Sequence, residues 1–145
     1  MIIKTNSPEE TIAAGEALAK LLRGGDILAY TGGMGAGKTT FTIGLAKGLE
    51  LDAWVSSPTF ALVHEYEGRL PERQLSLCHF DMFRINTADD LYSTGFFDYL
   101  ESGKIIAVEW SENIAGALPK PYITVAFEKG EGDARTITIT GDERF

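Results

Sequence analysis

Cysteine is nearly missing from this chain: Cys78 is the one example in 145 residues, which excludes an internal disulfide. Its apolar neighbours Leu77 and Phe80 place it in a buried strand, as a packing group and not as a reactive thiol. Long apolar runs are absent too, and the opening MIIKTNSPEE turns polar at once, so neither a membrane span nor a leader is expected. The expectation is a cytoplasmic protein with no membrane attachment. Basic residues are outnumbered, with 13 Lys+Arg against 21 Asp+Glu and a net charge of −8. That balance disfavours a surface that grips nucleic acid, so any connection to RNA or DNA is expected to be indirect, through a partner. Repeats and low-complexity segments are absent, and the acidic side chains are spread without forming a tail. The length and an ordinary 44% hydrophobic share fit one domain over 1–145. A chain of that size buries roughly 68–70% of its unfolded surface and needs no staple.

Glycine, by contrast, is concentrated. The stretch YTGGMGAGKTT at 30–40 fits G-x-x-x-x-G-K-[ST], with Gly32, Gly37, Lys38 and Thr39 at the defining positions. The apolar run 27–30 before it reads as a buried strand and 40–49 after it as a helix, which is the context the motif needs. A polyphosphate must approach the backbone closely, so side chains must be missing where amides point at oxygen; Gly32, Gly33, Gly35 and Gly37 meet that need. Successive N–H groups then make an anion-binding concavity at the positive end of the following helix. Lys38 is placed to reach the terminal phosphates as a point charge, and Thr39 offers its hydroxyl to magnesium. The expected nucleotide-contacting residues are Gly33, Met34, Gly35, Ala36, Gly37, Lys38, Thr39 and Thr40.

Along the rest of the chain, Ser7-Pro8-Glu9-Glu10 is a capping-box opening, and apolar residues at helical spacing predict a helix over 8–22, ended by Gly24-Gly25. Strands are expected over 60–66, 75–80 and 105–108, the last a continuous apolar run suited to a central parallel position. The polar stretch 67–74 reads as a long hairpin or crossover loop. Residues 122–127 and 136–140 alternate with period two and are expected to form an antiparallel edge. Together these predict an α/β domain: a mixed sheet with a parallel core, antiparallel edge strands and few flanking helices.

A phosphate-loop enzyme usually has a carboxylate at the carboxyl end of a neighbouring strand, to hold magnesium or to orient water. Glu109 follows the better hydrophobic strand; Asp81 follows a less regular one, with Arg84 nearby. The alternative is that Asp81 is a turn former bonded to its own backbone and Glu109 an exposed carboxylate at a loop start. Ser57, Pro58, Thr59 and Phe60 enter a strand about where a nucleotide-sensing switch would lie, although such residues also simply form turns. His79, a lone histidine between apolar neighbours, reads as a satisfied structural residue. Trp110 fits either the core or a position near the nucleotide.

Taken in order, GGMGAGKTT at 32–40, SSPTFALVHEY at 56–66, HFDMFR at 79–84, GFFDYL at 95–100 and VEWSENI at 108–114 resemble the TsaE (YjeE) family, small bacterial ATPases of tRNA threonylcarbamoyladenosine synthesis. The resemblance implies a P-loop fold that binds ATP and Mg2+, with Thr39 as a magnesium ligand and Asp81 and Glu109 as candidates for metal coordination or water activation. It also implies a switch-like loop at 57–60. Association with TsaD- and TsaB-type partners is implied as well, ATP hydrolysis supporting repeated threonylcarbamoyl transfer that itself belongs to TsaD. The sequence departs from the family pattern at Gly33-Met34, Phe83 and Ser111, and none of these departures removes a presumed ligand. The expected catalytic residues are Lys38, Asp81 and Glu109, with Arg84 the best internal candidate for an arginine finger. Two other functions use the same loop: a small-molecule kinase, though no arginine-rich lid follows Gly95, and an ATP-dependent conformational binding module.

Overall fold

A computed structural model describes residues 1–51, 63–66 and 75–145. The segment with Ser57, Pro58, Thr59 and Phe60 and the stretch 67–74 lie outside the described residues. The elements run β1 (Ile2–Thr5), α1 (Pro8–Ala19), β2 (Ile27–Thr31), α2 (Lys38–Gly48), β3 (Val63–Tyr66), β4 (Leu77–Asp81), α3 (Ala88–Ser93), α4 (Phe96–Leu100), β5 (Ile105–Glu109), a 3-10 segment (Ser111–Ala117), β6 (Ile123–Lys129) and β7 (Arg135–Thr140).

Local chemistry explains the boundaries. Ser7 caps α1 by accepting from the Glu10 amide at 3.1 Å, and Pro8 stands where no intrahelical N–H is needed. This helix stops at Ala19, short of the predicted Leu22. Leu21 N–H turns back to Leu18 O and Leu22 N–H to Ala19 O, a tighter winding that ends the α-helical ladder while keeping Leu22 buried. Helix α2 begins at Lys38, two residues before the predicted start, so the lysine and Thr39 belong to its first turn.

Among the described residues the seven strands form one sheet in the order β1-β7-β6-β2-β5-β4-β3. Strands β6, β2, β5 and β4 are parallel, while β1 on β7, β7 on β6 and β3 on β4 are antiparallel. The mixed α/β architecture with a parallel core is therefore as predicted. The edge differs: β6 is interior, hydrogen-bonded to β2 and β7, and the outer strand is β1, a four-residue segment without enough alternation to be legible in sequence. Strand β4 starts two residues later than expected and includes Asp81, because that residue pairs with Glu109 of β5.

Alternation in the parallel strands builds two cores. Leu28, Tyr30, Leu77, Ile105 and Ala107 face α1 and α2, whereas Ile27, Ala29, Cys78, Phe80, Ile106 and Val108 face α3, α4 and the 3-10 segment. Because the central strands are parallel, the carboxyl ends of β2, β4 and β5 emerge at the same edge of the sheet, where α/β folds place ligands. Among the described residues no helix is long and apolar enough to cross a membrane.

The C-terminal segment is tied down by Arg144, which donates to Leu21 O at 2.9 Å and through both terminal nitrogens to Asp26 at 2.8 and 3.0 Å, and through Nε to Asp142. Hydrogen bonds from Arg144 hold the Asp142 carboxyl below its ordinary value of 3.8. With the folded pKa depressed, the unfolded chain binds protons more readily, so this stability is complete above the ordinary pKa and is lost as pH falls through the folded value. Arg144→Ala is therefore expected to lower the urea midpoint at neutral pH, and the deficit should shrink in titrations at about pH 3 or below. A deficit that stayed constant with pH would mean that carboxylate pairing contributes nothing.

Candidate functional site

The loop between β2 and α2 is shaped by its neighbours. At Gly32, with φ of 133°, an added Cβ would lie 2.6 Å from Phe127 O on β6, so the loop leaves the sheet through a gap that only glycine fits. Gly37 caps α2 in the left-handed region with φ of 101°. Lys38 follows and is 8% exposed; its Nζ donates to Gly32 O at 2.9 Å, lies 3.8 Å from Glu109 Oε1 and sits 5.6 Å from the centre of the Trp110 ring.

The first turn of α2 is pinned from below. Thr42 Oγ1 donates to Lys38 O at 2.8 Å, so the Tyr30 hydroxyl, 2.9 Å from that oxygen, must be the donor in their contact. Burial pushes the Tyr30 phenol well up from its ordinary value, and the nearby Glu109 carboxylate adds to the rise. Tyr30→Phe removes one donor and leaves the Thr42 bond to the helix intact. The expected loss is about 1 kcal/mol in urea unfolding, with little change in phosphate binding.

Glu109 ends β5 and is 7% exposed, which rules out the reading of an exposed loop carboxylate. Its Oε2 lies 3.0 Å from Nε2 of His79, which is 0% exposed. The approach lacks hydrogen-bond alignment, so both ring nitrogens of His79 and Glu109 Oε2 have no well-formed hydrogen bond. His79 is therefore structural in position but not satisfied, as the sequence alone suggested it would be. The cause is topological: β4 and β5 run in register, His79 opposite Ala107, so the imidazole falls beside a carboxylate two residues on. Asp81, half-buried, accepts from the Phe83 amide at 2.9 Å through Oδ1. The turn-former reading thus holds for one oxygen.

Trp110 sits between these groups with φ of 57°, left-handed for a bulky residue. Such a conformation costs about 1–3 kcal/mol and persists where the surroundings fix it. Here Phe83 packs on the indole with ring centres 5.0 Å apart, and Ser111 Oγ donates to Tyr30 O at 3.0 Å just beyond it.

These groups surround a cavity of about 520 Å³, within the usual size of small-ligand sites. Met34, Gly35, Gly37, Lys38, Thr39 and Thr40 line it from the loop and α2; Asp81, Glu109 and Trp110 line it from the strand ends. Gly33 points to open space and Ala36 is buried in the core, so neither backs the cavity. Arg84 is exposed and outside the lining; the adjacent Phe83 takes part instead. Four further lining residues were not anticipated as site residues: Pro8 and Thr11 of α1, and Asp133 and Arg135 of the β6–β7 hairpin. They reach the loop only through sheet order and helix packing, which leave no local mark in the sequence.

The strand, glycine loop and helix, with carboxylates at two neighbouring strand ends, define a mixed α/β protein whose cavity lies at the carboxyl edge of its parallel strands. The family model described as "Threonylcarbamoyl adenosine biosynthesis protein TsaE" matches residues 5–137. Proteins named tRNA threonylcarbamoyladenosine biosynthesis protein TsaE are similar over nearly the whole chain. The one from Bacillus subtilis is 37% identical over 138 residues, covering 94% of this chain and 83% of the relative. That from Treponema pallidum is 31% identical, covering 93% and 96%. The crystal structure of Bacillus subtilis YdiB superposes with a TM-score of 0.81 at 30% identity, covering 99% of this chain and 87% of that one. The chain belongs to the TsaE family of tRNA threonylcarbamoyladenosine biosynthesis proteins.

Proposed function

We propose that this chain is the ATP-binding and ATP-hydrolysing subunit of a threonylcarbamoyladenosine-forming assembly, working with TsaD- and TsaB-type partners and meeting tRNA only through them. The observation that carries the reading is the buried Lys38 ammonium at the loop, flanked by Gly32 O and Glu109 at the wall of a nucleotide-sized cavity. An ammonium has three donors, and only one is used on Gly32 O, so Lys38 can turn toward phosphate oxygens without leaving the loop. The loop amides and the start of α2 add a fixed positive potential there.

The residues present suit a magnesium ion: Thr39, Asp81 and Glu109 offer hard oxygen donors around one cavity, and Glu109 Oε2 has no well-formed hydrogen bond. Bound magnesium would supply neutralisation of charge on the phosphate oxygens. Glu109 or Asp81 would hold the attacking water in line, and Trp110 with Phe83 would screen that end of the cavity from bulk solvent. Arg84 is outside the lining, and completion of the site for transfer is expected from a partner subunit.

Phosphate release from ATP, measured on the chain alone and with TsaD- and TsaB-type proteins, tests this reading. Partner stimulation is expected. Fast hydrolysis indifferent to partners would remove the partner claim, and steady transfer to a small acceptor would favour a kinase.

A further inference from the structure

His79 stands where the alternation of β4 calls for an apolar side chain. Two residues before it, Leu77 faces the core shared with Tyr30 and Ala107; His79 lies opposite Ala107, with its ring centre 6.0 Å from that of Tyr30. It is 0% exposed, yet neither ring nitrogen has a well-formed hydrogen bond. A buried polar group without a partner costs stability that an apolar side chain of similar size would not. Packing therefore does not account for an imidazole at this position, and its place is explained by the site that it adjoins.

The carboxylate beside it is that of Glu109, whose two oxygens keep different company. Oε1 lies 3.8 Å from Lys38 Nζ, and the buried Oε2 lies 3.0 Å from His79 Nε2. The first neighbour is the end of a flexible chain that turns to phosphate when nucleotide binds; the second is a ring enclosed on β4. Once Lys38 has turned, the imidazole remains beside the carboxylate. Its distance is already that of a hydrogen bond and only alignment is missing, a common state of such contacts before a ligand arrives. A neutral imidazole carries one N–H, and a carboxylate oxygen at this distance favours having it on Nε2.

We infer that His79 is a positioning residue for Glu109: its Nε2–H donates to Oε2 when Lys38 turns to the phosphates, and this fixes the direction in which Oε1 is presented. The inference rests on the nucleotide-site reading above. His79 does not line the cavity, so it acts through Glu109 and touches neither nucleotide nor water itself.

ATP binding and urea unfolding of the full chain, together with phosphate release in the presence of TsaD- and TsaB-type proteins, test this role. His79→Leu is expected to keep its ATP affinity and to lower phosphate release by about 10- to 100-fold, the range for losing a group that orients a ligand. Its urea midpoint should be unchanged or higher, because an unpartnered polar ring has gone from the core. His79→Gln puts an amide N–H near the Nε2 position and should recover part of the lost rate, whereas the shorter His79→Asn should be as slow as His79→Leu. The two amides decide the matter should His79→Leu fold poorly. An unchanged rate in His79→Leu, an ATP affinity that falls as far as the rate, or equal rates in His79→Gln and His79→Asn would each overturn the inference. Lys38→Ala is the control for the underlying reading. If it leaves ATP affinity and phosphate release intact, the nucleotide-site reading fails and the inference with it; a loss in Lys38→Ala with none in His79→Leu removes the inference alone.

Discussion

Replacing Lys38 by alanine is expected to weaken ATP binding by about 10- to 150-fold, the equivalent of about 1.5–3 kcal/mol for hydrogen bonds to a charged group, and to reduce hydrolysis at least as far. The second effect follows from the first, because negative charge on the transferring phosphoryl and leaving oxygens must be met by fixed cations. The geometry adds a further consequence. Lys38 and Glu109 side chains are each 9% exposed and 3.8 Å apart, so removing the ammonium leaves the carboxylate, among the described residues, with the poorly aligned His79 beside it. Lys38→Ala should therefore also destabilise the chain without nucleotide, and adding Glu109→Gln should restore part of that loss. A coupling of about 0.5–3 kcal/mol in urea unfolding is expected between the two positions. The double variant stays defective in ATP binding, which separates the stability role of the pair from the binding role of Lys38. Wild-type ATP affinity and hydrolysis in Lys38→Ala would sink the site assignment.

What could be read from the sequence divides by how local its cause is. Lys38 and Thr39 are legible because one contiguous stretch supplies the loop, its glycines and the first turn of the helix. Asp81 and Glu109 are legible because each ends an apolar run, and parallel pairing then brings the two ends together. The His79 contact with Glu109 needs the β4–β5 register, which no single segment contains. Arg135 needs more: β6 must lie against β2 and β7 against β6 before the hairpin can approach Gly35. Strand β1 escaped because four residues with one exposed isoleucine carry too little pattern. One signal was present but unused. Gly15, Gly44 and Gly48 interrupt helical patterns where glycine is costly, and such positions usually have a packing reason.

That packing reason leads to the largest stability effect expected for a single methyl group. Helices α1 and α2 cross so closely that a Cβ on Gly44 would lie 1.9 Å from Ile12 O and within 2.9 Å of Ile12 Cα, while one on Gly15 would lie 2.2 Å from Phe41 O. The obstacles are backbone atoms of a helix, which cannot rotate aside as a side chain end can. Gly44→Ala must therefore push α1 and α2 apart and open the core between Ala14, Leu18, Phe41 and Leu45. Overpacking of this kind costs about 3 kcal/mol or more, well beyond the gain of up to about 1 kcal/mol that alanine brings to a helix interior. Gly116→Ala, where an added Cβ meets nothing within 4 Å, should stay within about 0.5 kcal/mol of wild type. Because α2 begins at Lys38, its displacement should also weaken ATP binding under conditions where the variant remains folded. Urea midpoints of the two variants decide the matter: equal midpoints would mean that the helices separate at no cost, and that the glycine contact does not hold the loop helix in place.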